Sequence, residues 1–429
     1  MNLKKHLAAW TLTGLLAGLN ASAASIESTK DWTQFNGPHR DNISHETGLL
    51  KEWPKEGPPL AWKIAGVGGG YSSVSVSSGK IYTAGDEGDS SYVFALNEAD
   101  GKPLWKSKLG ESGGGNGYSG PRATPTIDGD LLYMIGQFGD LVCYQSADGK
   151  EVWRTNVNKD LGGKMMSGWG NAESVVIEGD KVLCTPGGSG GTLAALDKKT
   201  GKAIWRSADF TDSAAYMAPV VAEIDGVRQA VVLTAKSVAG IAVADGKLLW
   251  RHDRPGQTAV IPTPIIKDHF VYVTSGYGVG CDLFKISSAD GHFNVEKVYS
   301  NKGMINHHGG VILLGDAIYG FTDPADKTRR DEKGWTCQDL LTGKVNWQDK
   351  NLLGKGSISY ADDRFYLRDE GKTGTLVLLE AGPDHHAEKG RFDQPQRSGK
   401  NAWPHLVIAN GRLYVRDQNS LLAYDVKAK

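Results

Sequence analysis

Short apolar runs alternate with turn-forming text along most of the chain, and the order of the alternation repeats. One unit reads Ile127, the turn Asp128-Gly129-Asp130, then the aromatic and aliphatic run Leu131 to Ile135. Another carries "TLAALD" at 192 to 197, a Thr-Gly-Lys turn, and "AIW" at 203 to 205. The runs are bounded by Asp-Gly and Asn-Gly pairs, whose tolerance of positive φ suits tight hairpins, so each unit predicts four short antiparallel strands.

A turn followed by tryptophan punctuates the repeat. "ADGKPLW" ends at Trp105, "ADGKEVW" at Trp153, "KTGKAIW" at Trp205, "ADGKLLW" at Trp250 and "LTGKVNW" at Trp347. Degenerate copies end at Val295 and Phe392, and "GPPLAW" ends at Trp62 ahead of the first full copy. These eight marks fall roughly 45 residues apart, the period of a blade that buries its faces by stacking on its neighbours. The prediction is an all-β fold, an eight-bladed β-propeller of four-stranded antiparallel blades over residues 58–429. The last unit, 408 to 425, ends without its turn and tryptophan, and "PPLAWKI" at 58 to 64 is the strand it lacks. Closure by that N-terminal strand around Trp62 leaves no open sheet edge. The repeated glycines reverse the chain and the indoles are expected to pack between blades, not to do chemistry.

Composition narrows the partners. The 429 residues balance 48 basic against 49 acidic side chains, which supplies no concentrated positive field for nucleic acid. Lys4 and Lys5, the apolar run 7 to 19 and Ala21-Ser22-Ala23 predict a signal peptide over 1–23, too short to span a bilayer. No transmembrane segment follows, and the first cysteine is Cys143, far from the cleavage site. A soluble periplasmic or secreted monomer is expected. Residues 24–57 form an irregular leader expected to pack on the ring through Trp32, Phe35 and Trp53. Cys143, Cys184, Cys281 and Cys337 sit in separate apolar runs and are expected as small buried hydrophobes.

In such a ring the segments leading into each inner strand encircle the mouth of the central channel, where ligand sites lie. They carry Tyr71 in "GGYSSV", Arg122 in "SGPRATP", Trp169, Asn171 and Glu173 in "GWGNAES", and Tyr216 in "AAYMAP". They continue with His307 and His308 in "INHHGG", Lys355 in "LGKGSIS", and Trp403 and His405 in "NAWPHL". Their convergence predicts binding of a small molecule, a glycan or a protein at the mouth. Strand alternation predicts that one histidine of the pair faces the ligand space. Adjacent histidines chelate poorly and have no HxH or HxxxH companion, which disfavours a metal there. "GGGNGYSG" at 113 to 120 and "GGSGG" at 187 to 191 precede no helical pattern, so they read as loops, not phosphate cradles. The charged stretch 322 to 335 reads as a solvated rim, and His385 and His386 as solvated on the opposite face.

The "LxALDxxTGKxxW" units resemble the pyrroloquinoline quinone (PQQ) type repeats of quinoprotein dehydrogenases and of the outer-membrane-assembly lipoprotein propeller, over roughly 58 to 426. The resemblance implies the fold and leaves two functions open. In the dehydrogenases the quinone lies at the channel mouth between a tryptophan and a disulfide of adjacent cysteines, calcium is held by glutamate and asparagine, an aspartate is the base and an arginine polarises the quinone. On that likeness Glu173 and Asn171 would hold calcium, Trp169 would stack and Arg122 would touch the quinone. Adjacent cysteines, a CxxCH haem site and a blade-five or blade-six aspartate at the mouth are missing from the sequence. The expectation is a binding or scaffold module with no assigned catalytic residue or cofactor; the alternative is a PQQ- and calcium-dependent dehydrogenase of alcohols or sugars.

Overall fold

The computed structural model describes residues 31–428; the signal peptide expected over 1–23 lies outside them. The described chain forms eight separate sheets in the order the repeat requires. Blade one is built from Ser75–Ser77, Lys80–Glu87, Ser90–Asn97 and Pro103–Glu111, each strand antiparallel to the one before. Its first strand is short and lines the axis; the last is the longest and lies at the rim. The other inner strands are Thr126–Asp128, Val176–Glu178, Val220–Ile224, Ile265–Lys267, Val311–Leu314, Gly356–Ala361 and Val407–Ala409.

Blade eight takes three strands from the C-terminus and its outer strand, Leu60–Ala65, from the front of the chain. Trp62 lies opposite Ala423 and Leu60 opposite Tyr424, so the two ends of the chain seal the ring.

The repeat's chemistry explains the stacking. Each turn glycine adopts a positive φ, and its missing Cβ leaves room for the aromatic of the blade before it. A Cβ on Gly149 would stand 2.5 Å from the Trp105 ring, and one on Gly201 2.5 Å from Trp153. Each indole then donates across the same gap: Trp62 Nε1 to the Glu98 carbonyl at 3.2 Å, Trp105 to Ser146 at 3.1 Å, Trp153 to Lys198 at 3.0 Å, Trp205 to Val243 at 3.1 Å and Trp347 to Gly382 at 2.8 Å. Between these contacts, aliphatic strands of neighbouring blades share one dry core, as Val93 of blade one does with Leu132 and Val142 of blade two.

Trp250 departs from the expectation. Its indole points back into blade four and donates to Gln229 Oε1 at 2.6 Å. The turn it would have met, at Asp290 and Gly291, sits at the tip of two ten-residue strands that overshoot their neighbours. In blade five the tryptophan place is filled by Tyr299, whose hydroxyl donates to the Leu340 carbonyl at 2.7 Å and whose ring covers Gly343. His386 is a second departure. It belongs to the outer strand His386–Phe392, packs against Trp347 and meets Asp349 at 3.0 Å, so it is half-buried, while His385 beside it is exposed as expected.

The four cysteines are free and buried. Among the described residues no helix is long and apolar enough to cross a membrane.

Candidate functional site

The leader shapes the channel. Trp32 pairs with Val76 in blade one, the Thr33 carbonyl accepts from Ile127 in blade two, and Arg40 donates to the Ser174 and Val175 carbonyls in blade three. It then reaches blade seven, where Ile43–Ser44 adds a parallel strand against Tyr360 and Ala361. Asn36, Gly37, Arg40 and Asn42 all adopt positive φ, which lets so short a segment turn inside the ring. Trp32 and Trp53 are buried. The leader therefore crosses the central channel and divides it into two cavities.

The mouth cavity has a volume of about 250 Å³. Of the residues expected there, Tyr71, Arg122, Trp169, Tyr216, His307, His308, Trp403 and His405 line it. Phe35 of the leader joins them and touches the His405 ring at 5.2 Å between centroids. Both His307 and His308 reach the cavity, against the alternation expected of them. They precede the strand Val311–Leu314 in non-strand backbone, where the period of two does not hold. Tyr118 and Tyr277 also line the cavity and carry no signal in the repeat itself. Tyr118 comes from "GGGNGYSG", and Tyr277 from the loop between the middle strands of blade five, a loop class that opens on the same face.

Aromatic rings dominate the wall. Trp403 packs between Tyr71 and Tyr118, with centroids 4.6 and 4.9 Å away and planes inclined 38° and 42°. Trp169 and Tyr216 form a second pair, 6.1 Å apart and inclined 55°.

A charged cluster stands behind the histidines. Lys355 lies outside the cavity wall, its ammonium 2.9 Å from Glu370 and 3.3 Å from Asp323. Glu370 also accepts from His308 Nε2 at 2.6 Å and from Trp403 Nε1 at 2.9 Å. Burial alone would raise the Glu370 carboxyl, but the His308 hydrogen bond and the Lys355 charge outweigh it and hold the group at about 2. Burial, then the charges of His308 and Lys355, push His307 down to about 3, so it is neutral. Lys355 Nζ meets His307 Nδ1 at 3.2 Å, and an ammonium only donates, so Nδ1 accepts and the ring proton sits on Nε2. That Nε2–H donates to the Tyr277 hydroxyl at 2.9 Å. Burial raises the Tyr277 phenol, which keeps its own proton.

Glu173 and Asn171 point away from the cavity. The Glu173 carboxylate accepts from the Thr185 amide at 2.7 Å and from its hydroxyl, and burial pushes it up to about 7. Asn171 accepts from Asn158 at 2.9 Å and is 2 % exposed. The carboxylates nearest the mouth histidines, Glu370 and Asp323, are engaged by Lys355, and Asp323 also by Lys333. These donors do not fit a calcium ion and quinone at the mouth, because none presents a free oxygen to the cavity.

Residues 89–349 match the family described as "Outer membrane protein assembly factor BamB", more than half of the chain. The chain belongs to the PQQ-type repeat propellers. No curated protein matches this PQQ-repeat propeller by sequence. Among solved structures it is similar to BamB from Moraxella catarrhalis, with 15 % identity and a TM-score of 0.53, covering 81 % of this chain and 94 % of that one. It is also similar to the quinohemoprotein alcohol dehydrogenase ADHIIG from Pseudomonas putida HK5, with 13 % identity and a TM-score of 0.60 over 94 % of this chain and 81 % of that one. The corresponding enzyme from Comamonas testosteroni gives 11 % identity and 0.61 over 93 % and 81 %. At such identities the likeness is one of fold.

Proposed function

We propose that this PQQ-repeat propeller is an exported binding module whose mouth cavity holds one sugar-sized ring. The carrying observation is the inclined aromatic basin in which Trp403 sits between Tyr71 and Tyr118. Rings packed on one another at 4.6 and 4.9 Å leave no slot between them for a flat polycyclic quinone, whereas a wall of aromatic rings on one side suits the partly apolar face of a pyranose. A volume of about 250 Å³ accommodates one such ring. The signal-like residues 1–23 support export, and the likeness to BamB is compatible with a binding role in the envelope. Glu173 and Asn171, turned away from the cavity onto Thr185 and Asn158, weigh against the dehydrogenase reading.

The test is a titration of the purified protein with neutral and acidic monosaccharides and their short oligomers, read by tryptophan fluorescence and by heat, with PQQ plus Ca²⁺ as a parallel arm. Saturable sugar binding is expected. Trp403→Ala should weaken it about tenfold, the loss of one stacking face, and should also lower the thermal midpoint through lost packing on Tyr71 and Tyr118; Trp403→Phe, which keeps a ring there, should retain most of both. Tight quinone uptake without sugar binding would overturn the reading.

A further inference from the structure

Resting on the sugar-binding reading, we propose that the mouth cavity selects an anionic sugar, a uronic acid or a similarly carboxylated pyranose, with its carboxylate on Arg122 and another ring substituent accepting from Tyr277. Two observations carry this.

The first is an unpaired guanidinium. Arg122 lines the cavity and donates to two carbonyls, Trp169 at 3.0 Å and Tyr118 at 2.6 Å. Among the described residues no carboxylate lies within ion-pair distance of it, and Asp86, whose charge reaches it without a contact, is engaged by Ser91 and the Gly113 amide. A guanidinium has five N–H donors, so some remain after both carbonyls are served. Burial disfavours its charge. A half-buried cation without an ion-pair partner gains most from an anionic ligand, and a carboxylate matches its fork in a bidentate fashion. Lys355, by contrast, already has two carboxylates and cannot serve a ligand in the same way.

The second is the direction of the donor chain. Lys355 donates to His307, and His307 donates to Tyr277, so the Tyr277 hydroxyl is an acceptor within the protein and its own proton is left to point at a ligand. The cavity thus presents a phenol O–H and a guanidinium to its occupant. The neighbouring carboxylates are spent: Glu370 on His308, Trp403 and Lys355, and Asp323 on Lys355 and Lys333. Two donors, one of them cationic, with no free carboxylate beside them favour an anion over a neutral polyol.

Equilibrium titration with glucose, glucuronate and a uronate trisaccharide tests the proposal in the full protein. Glucuronate should bind about tenfold more tightly than glucose, with the gap narrowing at high salt. Arg122→Gln should erase that preference while glucose binding survives, and Arg122→Lys should restore part of it. Tyr277→Phe, which keeps the ring and loses the proton, should weaken both sugars; unchanged affinity would remove Tyr277 from the site. Tighter binding of the trisaccharide than of glucuronate points to a polymer as the source, equal binding to the free acid. Equal affinity for glucose and glucuronate in the native protein overturns this inference alone. Absence of binding by all three sugars overturns the sugar reading as well.

Discussion

His307 is a neutral imidazole held against an ammonium, and its titration is readable from outside. It faces His308 on its own segment, Lys355 and Glu370 from blade seven, Asp323 from blade six and Tyr277 from blade five. Its folded value of about 3 lies below the usual 6.5, so between these values the unfolded chain holds a proton that the folded one refuses. Stability from this group is complete above pH 6.5 and is lost as the pH falls toward 3. His405, lowered to about 4 by burial, has the same sign. Glu173, raised to about 7, has the opposite one, since its contribution is present below 4.5 and is lost as the pH rises through 7. The useful quantity is therefore a difference. The native thermal midpoint minus that of His307→Gln should stay level from pH 7.5 to about 6.5 and then shrink toward pH 5; a constant gap would show that His307 titrates in the folded protein as it does in the unfolded chain. Position along the repeat was enough to find both mouth histidines, Arg122 and Trp403. The polar partners that set their protonation, Glu370, Asp323 and Tyr277, lie in loops between middle strands, where no periodic mark fixes which side chain turns inward.

At the scale of the turn, glycine serves both backbone and neighbour. Gly201 has φ +71°, and a Cβ there would also stand 2.5 Å from the Trp153 ring. Gly226, with φ +73°, has nothing within 4 Å of the same position. Gly226→Ala should therefore cost only the left-handed backbone, about 1 kcal/mol. Gly201→Ala should cost about 2 kcal/mol more, because it also pushes an indole out of the seam. Denaturant midpoints of the two variants measure the difference; equal losses would mean that the tryptophan moves aside freely. The paired signal of glycine and tryptophan made blades one, two, three and six legible before any coordinates. Blade four's Trp250 and blade five's Tyr299 were not, because strands of ten residues carry the blade-five turn beyond reach of the blade-four indole.

For the whole molecule the decisive seam is the one between the first and last blades. The ring is sealed by backbone pairing of Leu60–Ala65 with Ser420–Asp425 and by the Trp62 indole on blade one. A buried clamp adds to this: Arg416 of blade eight donates to the Val67 and Gly68 carbonyls at 3.1 and 2.9 Å, and to Thr83 of blade one. The repeat count and the missing last strand disclosed the closure in advance. The leader's passage through the channel was not disclosed, since residues 31 to 53 follow no period and are placed by single contacts such as Arg40 with blade three. Two truncations separate these parts. A chain starting at residue 58 loses the leader but keeps the closing strand; it should stay monomeric with a lowered midpoint and with the two cavities joined. A chain starting at residue 66 also exposes the backbone of Ser420–Asp425 as an open edge beside an uncovered apolar face, and should aggregate or pair with a second copy. Light scattering and the sharpness of thermal unfolding distinguish them, and equal monomeric behaviour of both chains would show that blade stacking, not the shared sheet, holds the circle shut.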